Sequence, residues 1–327
     1  MPLVSVVTPF YNTAPYLREC IESVLAQTLT DFEYLLVNNQ SKDGSREIAA
    51  EFAARDSRIR LIDNDVFVGQ VENYNGALNQ IAGSSEFVKL IQADDVMLPE
   101  SLRSMVEAGQ RDPKIGLVSS YYLKGSTPTG YGVPYDSWRM HGRDILRGLL
   151  LGTAFPFGSP STVLYRARVV RERNPFYTLG RYHEDTETAC EILLDHDLGF
   201  VHQILNFCRT DNISIMSAAR RFTPERLDHL IVLERYGREV LSPPEFARQS
   251  AAEWRAYLGF LGASRLRGQD RDFWNYHRRG LATIGHSLNE RELLLPTLKQ
   301  LVRLALNPLD AVELGWQGLR GRSERAT

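Results

Sequence analysis

Two adjacent carboxylates, Asp94 and Asp95, follow directly on the apolar run Phe87-Val88-Lys89-Leu90-Ile91. A run of that kind predicts a buried strand. Two acids at its C-terminal end are costly unless a cation meets them. In open α/β sheets the crevice beyond the strand C-termini is where ligands bind. The chemistry this pair suits is a hard cation, Mg2+ or Mn2+, shared between one or two carboxylates and a substrate's phosphates. The competing reading is a solvated strand-end turn that also caps the helix opening near Pro99.

The elements needed to hold such a pair are legible around it. Leu3 to Thr8 is a β-branched run stopped by Pro9, and Glu33–Val37, Ile59–Ile62 and Ile115–Tyr122 read as further strands. Between them, Ala14–Gln27, Ser45–Arg55, Gln70–Ala82 and Pro99–Gln110 have apolar residues at helical spacing. Pro99 is expected in a first turn, where its missing N–H costs nothing. This βαβα order predicts an α/β fold, a mostly parallel Rossmann-like sheet flanked by helices. The loops after its strands begin at Pro9, Asn38, Asp63 and Gln92, all polar-rich and all on one edge. Lys124–Tyr135 is rich in Gly, Pro and Thr and reads as irregular loop. Ser161–Tyr165 is a candidate to rejoin the sheet, and Glu184–Leu194 reads as a helix with two acids in its first turn. From Ser214 the pattern is helical: Arg226–Leu241, Pro244–Leu266, Asp270–Ile284 and Glu290–Leu306. Two domains are expected, 1–213 and a helical C-terminal region, 214–327.

Composition narrows the function classes. The chain has 327 residues and a net charge of −2, without a basic-aromatic stripe, so nucleic acid is not an expected partner. From Ser214 onward 18 Lys and Arg face 13 Asp and Glu, whereas the preceding part has 20 against 27. The acidic part holds the carboxylates, and the basic part could face an anionic partner or simply be solvated. Cys20, Cys190 and Cys208 are far apart and fit buried thiols in a reducing, cytoplasmic setting. The opening Met1-Pro2-Leu3-Val4-Ser5 lacks a basic region, so no signal peptide is expected. The longest uncharged stretch, Gly148–Tyr165, is broken by Pro and Gly and reads as loop and strand.

Several blocks then resemble one family in the right order. They are Val6 to Asn12 with Tyr16-Leu17 and Ile21 to Thr28; Val37 to Ser45; Gly69 with Asn73 to Ala77; Gln92 to Asp95 with Leu98-Pro99; and His183-Glu184-Asp185. Together they resemble family 2 glycosyltransferases, inverting sugar-nucleotide-dependent enzymes of GT-A fold, over roughly the first two thirds of the chain. The resemblance implies a nucleotide-diphosphate sugar donor, a divalent cation (Mn2+ or Mg2+) and a glycan or lipid-linked acceptor. Polysaccharide or cell-surface glycan assembly is the family's commonest setting.

The same resemblance distributes roles. Pro9, Tyr11 and Asn12 form a loop lining the nucleotide pocket, with Tyr11 near base and ribose. Ser41 and Asn73 fall in donor-contact blocks. Asp94 inherits the metal role with Asp95 as second choice. Asp185 resembles the catalytic base, with Glu184 beside it. Arg209 sits where relatives reach the diphosphate or metal, and Asp211 is a weaker third cation ligand. Two departures stand out. Asn38-Asn39-Gln40-Ser41 replaces the usual Asp-Asp-Gly-Ser, and Gln92 replaces the first acid of Asp-x-Asp-Asp. Asn keeps an acceptor, adds two donors and loses the charge, which leaves base identity open.

Competing readings are weaker. A sugar nucleotidyltransferase needs a glycine-rich loop after the first strand, and Pro9-Phe10-Tyr11-Asn12 has no glycine. A dinucleotide enzyme fails for the same reason. A non-catalytic nucleotide-sugar-binding subunit is encouraged by Asn38, Asn39 and Gln92. The stretch Leu293–Leu306, with Lys299 and Arg303, is amphipathic and could lie on anionic lipid at the inner face of a membrane. Its alternatives are a packing helix with a solvated basic edge, or an oligomer contact.

Overall fold

The computed structural model describes residues 1–180, 182–210 and 220–306. The chain divides into two compact units, Met1–Ser214 and Ile215–Thr327. Asp211 and the boundary near Ser214 lie outside the described residues.

The first unit opens with alternating elements: β1 (Val4–Phe10), α1 (Ala14–Leu25), β2 (Phe32–Asn38), α2 (Ser45–Ala53), β3 (Ile59–Asp63), α3 (Gln70–Leu78) and β4 (Phe87–Leu90). All seven residues of β1 are buried, as expected for a strand covered on both faces. Helix α1 buries Leu17, Cys20, Ile21 and Val24, one stripe at helical spacing. There follow β5 (Val96–Met97), α4 (Ser101–Gln110), β6 (Ile115–Lys124), β7 (Thr127–Thr129), β8 (Arg139–Met140), α5 (Gly142–Leu150), β9 (Val163–Arg166), α6 (Ala167–Arg171), α7 (Glu184–Asp195) and β10 (Asp197–Cys208).

These strands form one sheet ordered β3-β2-β1-β4-β9-β6-β10-β5, with β7 on β6 and β8 on β10. The first four in that order are parallel, with Phe10, Asn38 and Asp63 in register at one edge. The sheet as a whole is mixed, because β9 runs antiparallel between β4 and β6. Strand β10 returns parallel to β6, and β5 closes the edge antiparallel to β10.

Two details correct the sequence reading. β1 continues through Pro9 and Phe10, both buried, so Pro9 is a strand residue and not part of the loop. β4 pairs with β1 only as far as Val7, so beyond it β1 keeps a ladder on one side and a proline is tolerated. Helix α4 begins at Ser101, after Pro99.

The second unit contains α8 (Pro224–Val240), α9 (Pro243–Leu266), α10 (Arg271–Ala282) and α11 (Glu290–Leu306). Pro243 begins α9, and Glu245 Oε2 accepts from the Ser242 amide at 3.1 Å. Asp270 caps α10 by accepting from Phe273 N at 2.8 Å. The buried His277 is a core residue: Nδ1 lies 2.8 Å from the Tyr257 hydroxyl and Nε2 2.9 Å from Phe222 O. No helix among the described residues is long and apolar enough to cross a membrane.

Candidate active site

The parallel register brings the loops after β1, β2, β3 and β4 to one rim. The first two are laced together. Asn12 takes a left-handed backbone (φ 50°), which Asn tolerates. Its Oδ1 accepts from Lys42 N at 2.8 Å, and its amide donates to Ser41 Oγ at 3.1 Å. The Thr13 amide donates to Ser45 Oγ at 2.8 Å and the Ala14 amide to Asp43 Oδ2 at 2.9 Å. Burial alone would raise the Asp43 pKa, but hydrogen bonds from Ser45 and the Ala14 amide outweigh it and hold the carboxyl below its ordinary value.

The Asn pair that departs from the family pattern is turned inward. Asn38 and Asn39 are both 3% exposed. Asn38 donates to Asp63 Oδ1 at 2.8 Å and accepts from Ser41 N at 2.9 Å. Asn39 donates to Val68 O at 2.8 Å, and its Oδ1 accepts from Val68 N and Asn64 Nδ2, each at 3.1 Å. Asn64 also donates to Asn73 Oδ1 at 2.8 Å. The amides thus form a network that fixes the loop after β3. An amide gives both a donor and an acceptor to one backbone unit, which a carboxylate cannot.

That loop presents Phe67, which the sequence reading did not single out. Tyr11 and Phe67 are both exposed, with ring centroids 4.8 Å apart. The available signal was the apolar run Val66-Phe67-Val68 between Asn64-Asp65 and Gly69.

The acid doublet sits where β4 ends. Asp94 is half-buried and Asp95 is 3% exposed. Asp95 Oδ1 accepts from Arg209 N at 3.0 Å, while its Oδ2 is buried without a hydrogen-bond partner among the described residues. Burial first, and the Asp94 charge second, push the Asp95 pKa up to about 7. Arg209 Nε donates to Asp94 O at 3.1 Å, and its guanidinium bonds Glu19 at 2.6 Å and stands over the Tyr16 ring. Strand β10, absent from the sequence reading, delivers this arginine: it pairs with β5 just beyond the doublet.

Beneath lies Lys89, fully buried on β4. Its ammonium donates to Ser161 O at 2.6 Å, and burial lowers its pKa to about 7. The Ser161 hydroxyl accepts from Gln92 N at 2.9 Å. Gln92 Nε2 donates to the Tyr74 hydroxyl at 3.1 Å, which Gln70 also approaches at 2.5 Å.

Glu184 and Asp185 open α7, and Asp185 Oδ1 accepts from Thr186 N at 2.7 Å. Negative charge there suits the helix dipole. Burial raises the Asp185 pKa, opposed by the charge of His183. The two acidic groups share one tyrosine neighbour: the Tyr74 phenol feels both Glu184 and Asp94, while the Tyr122 phenol feels Asp185.

Against known families, residues 5–173 match the model described as Glycosyl transferase family 2. The chain belongs to that family. It is 32% identical over 140 residues to the "Uncharacterized glycosyltransferase EpsJ" of Bacillus subtilis (strain 168), covering 41% of this chain and 38% of the relative. It is 31% identical over 120 residues to glycosyltransferase GlyG of Streptococcus pneumoniae, covering 37% and 39% respectively. The chain thus spans about two fifths of the length of these relatives. Among solved structures it is similar to S. aureus TarS 1-349 in complex with UDP-GlcNAc, with TM-score 0.63, 18% identity and coverage of 100% of this chain and 92% of that one. It is also similar to the mannosyltransferase PcManGT from Pyrobaculum calidifontis in complex with GDP-Man and Mn2+, with TM-score 0.55, 21% identity and coverage of 97% and 87%. At these identities the likeness shows the fold, which is GT-A.

Among the described residues no three His, Cys, Asp or Glu gather as a metal cage. A nucleotide-linked Mg2+ or Mn2+ does not need one, since one or two carboxylates, phosphates and water complete its shell. The orphaned Asp95 Oδ2 beside Asp94 fits such an ion. The three cysteines are buried and unpaired, and burial pushes their thiols up, so they are poor ligands.

Proposed function

We propose that the chain is an inverting glycosyltransferase that moves a sugar from a nucleotide-diphosphate donor to a hydroxyl on a glycan or lipid-linked acceptor, in polysaccharide or cell-surface glycan assembly. The observation that supports this most is the acid doublet beyond the end of β4, with one buried carboxylate oxygen unpartnered among the described residues and Arg209 against it. TarS with UDP-GlcNAc and PcManGT with GDP-Man and Mn2+ support a nucleotide-sugar donor.

In this reading Tyr11 and Phe67 flank the base, and Asn12 and Ser41 shape the loop beneath it. The amides of Asn38, Asn39 and Asn73 hold the rim. Gln92 offers its carbonyl to a sugar or ribose hydroxyl. Asp94 and Asp95 would hold Mn2+ or Mg2+, which when bound neutralises charge on the diphosphate. Asp185, or Glu184 beside it, accepts the acceptor's proton as the acceptor oxygen bonds to C1. The C1–O bond to phosphate breaks, its electron pair leaves with the nucleoside diphosphate, and the configuration at C1 inverts. Arg209 stabilises the phosphate side from its place at the doublet.

The test is hydrolysis and transfer from a panel of UDP-, TDP- and GDP-sugars with Mn2+, for wild type and Asp185→Asn. Turnover that survives Asp185→Asn unchanged removes that residue from the mechanism. The inward-turned Asn38 and Asn39 favour one rival, a nucleotide-sugar-binding subunit without catalysis. Donor binding without turnover across the panel would select it.

A further inference from the structure

Helix α11 is apolar on two sides. One side packs within its own unit: Leu293 is buried, and Gly262 of α9 lies so close that a Cβ there would stand 2.9 Å from Pro296 C and Thr297 N. The other side is the leucine stripe already visible in the sequence. Leu294, Leu295, Leu298, Leu301, Val302 and Leu306 are between 46% and 80% exposed. At 3.6 residues per turn they share one arc of about 140°, turned away from Leu293. Scattered exposed leucines are ordinary, but a contiguous apolar face marks an interaction surface.

The charges on the helix select the partner. Arg291, Lys299 and Arg303 are exposed. The acids of the first turn are drawn to the unit's own groups: Glu290 meets Arg265 at 2.8 Å and Arg278 at 3.8 Å, and Glu292 meets His286 at 3.3 Å. What remains outward is leucine, with Arg291 at the helix start on the same face and Lys299 along one edge. Two copies mated through this face would crowd like charges around one apolar patch. A bilayer bearing anionic phosphates complements both parts.

We infer that α11 is an interfacial helix that lays its leucine face into the headgroup and acyl boundary of an anionic membrane, with Arg291 and Lys299 against lipid phosphates. At 17 residues it is about 26 Å long and lies along the surface without spanning it. The inference does not depend on the transferase reading.

The test uses the full chain and sedimentation with vesicles of phosphatidylcholine alone or mixed three to one with phosphatidylglycerol. Binding is expected to the anionic vesicles, weakening as salt is raised. Leu298→Glu with Val302→Glu should reduce it at least tenfold. Arg291→Gln with Lys299→Gln should reduce it about fivefold per cation removed. The altered side chains are exposed, and an unchanged melting curve controls for folding. Absence of binding to anionic vesicles, or equal binding by the leucine variant, overturns the inference. So does a wild-type dimer in light scattering that the leucine variant converts to monomer, which would assign the face to a second copy.

Discussion

Replacing Asn39 by Asp restores the acid usual in the family at this position, and the geometry predicts that the protein is weakened by it. Asn39 donates to Val68 O at 2.8 Å and accepts from Val68 N and Asn64 Nδ2. Asp keeps the acceptor and loses the donor, so a carboxylate oxygen would face the Val68 carbonyl at a site 3% exposed. A buried acceptor left unpaired costs about 1–3 kcal/mol. Burying the new charge adds to this, and the two donors to Oδ1 offset part of it. The net is about 3 kcal/mol, or a melting point lowered by about 6–12 °C for a unit of this size. The sign with pH is fixed. The buried carboxyl's folded pKa is raised, so the deficit is full above that value. It shrinks as pH falls through it, because the protonated acid can again donate to Val68. Thermal melts at pH 8 and pH 4.5 measure both effects. Asn12→Asp is the control, since exposed Asn12 uses only its Oδ1 among the described residues. A variant that melts within about 2 °C of wild type at pH 8 would refute the structural role of the amide network.

Four further outcomes are expected. Asp185→Asn should lower turnover about 10²–10⁴-fold while a nucleotide's thermal shift is kept. Because burial raises the Asp185 pKa, wild-type activity should fall on its acid limb at a pH above the ordinary carboxylate range, which a pH–rate profile reads directly. Burial lowers the His277 pKa to about 4, so its contribution to stability is full above pH 6.5 and is lost as pH falls from there toward 4. The whole effect is about 3 kcal/mol, and urea unfolding at pH 7.5 and pH 5 should lose this slope in His277→Gln. Gly142→Ala would drive a Cβ into the backbone carbonyls of His196 and Leu193, which cannot yield, so a loss of more than about 3 kcal/mol in chemical denaturation is expected.

β1, β2 and β4 were legible because each is a short, largely apolar run between helical periods, and burial on both faces enforces that pattern; β3, at the sheet edge with Arg60 and Asp63 exposed, showed only through Ile59, Leu61 and Ile62. The place of the doublet at a strand end was legible from the apolar run before it, while its candidacy as a site came from the ordered family blocks and not from the pair alone. Strand β10 was not. Its twelve residues include Gly199, His202, Gln203 and Asn206, and its register with β6 shifts around Ile204, so neither alternation nor a clean apolar run survives. Missing it hid the route by which Arg209 reaches Asp95. Helix α5 has Ile145, Leu146, Leu149 and Leu150 at helical spacing, but the uncharged stretch that begins at Gly148 runs through its end and obscures that period. The inward turn of Asn38 and Asn39 was beyond reach: Asn38 pairs with Asp63 at the end of the neighbouring strand, and Asn39 with the Val68 backbone, on a loop whose path no spacing rule fixes.

Ser161 stands behind the acid doublet and joins two layers of the site: its carbonyl takes the Lys89 ammonium and its hydroxyl takes the Gln92 amide. The turn that starts β9 is thereby bolted to both ends of the segment leading into the doublet. The two acids consequently have a stiff seat before any substrate arrives, and accommodation falls to the tips around Tyr11 and Phe67. A change at Ser161 would loosen that seat from behind, as a worn bearing lets a shaft wander.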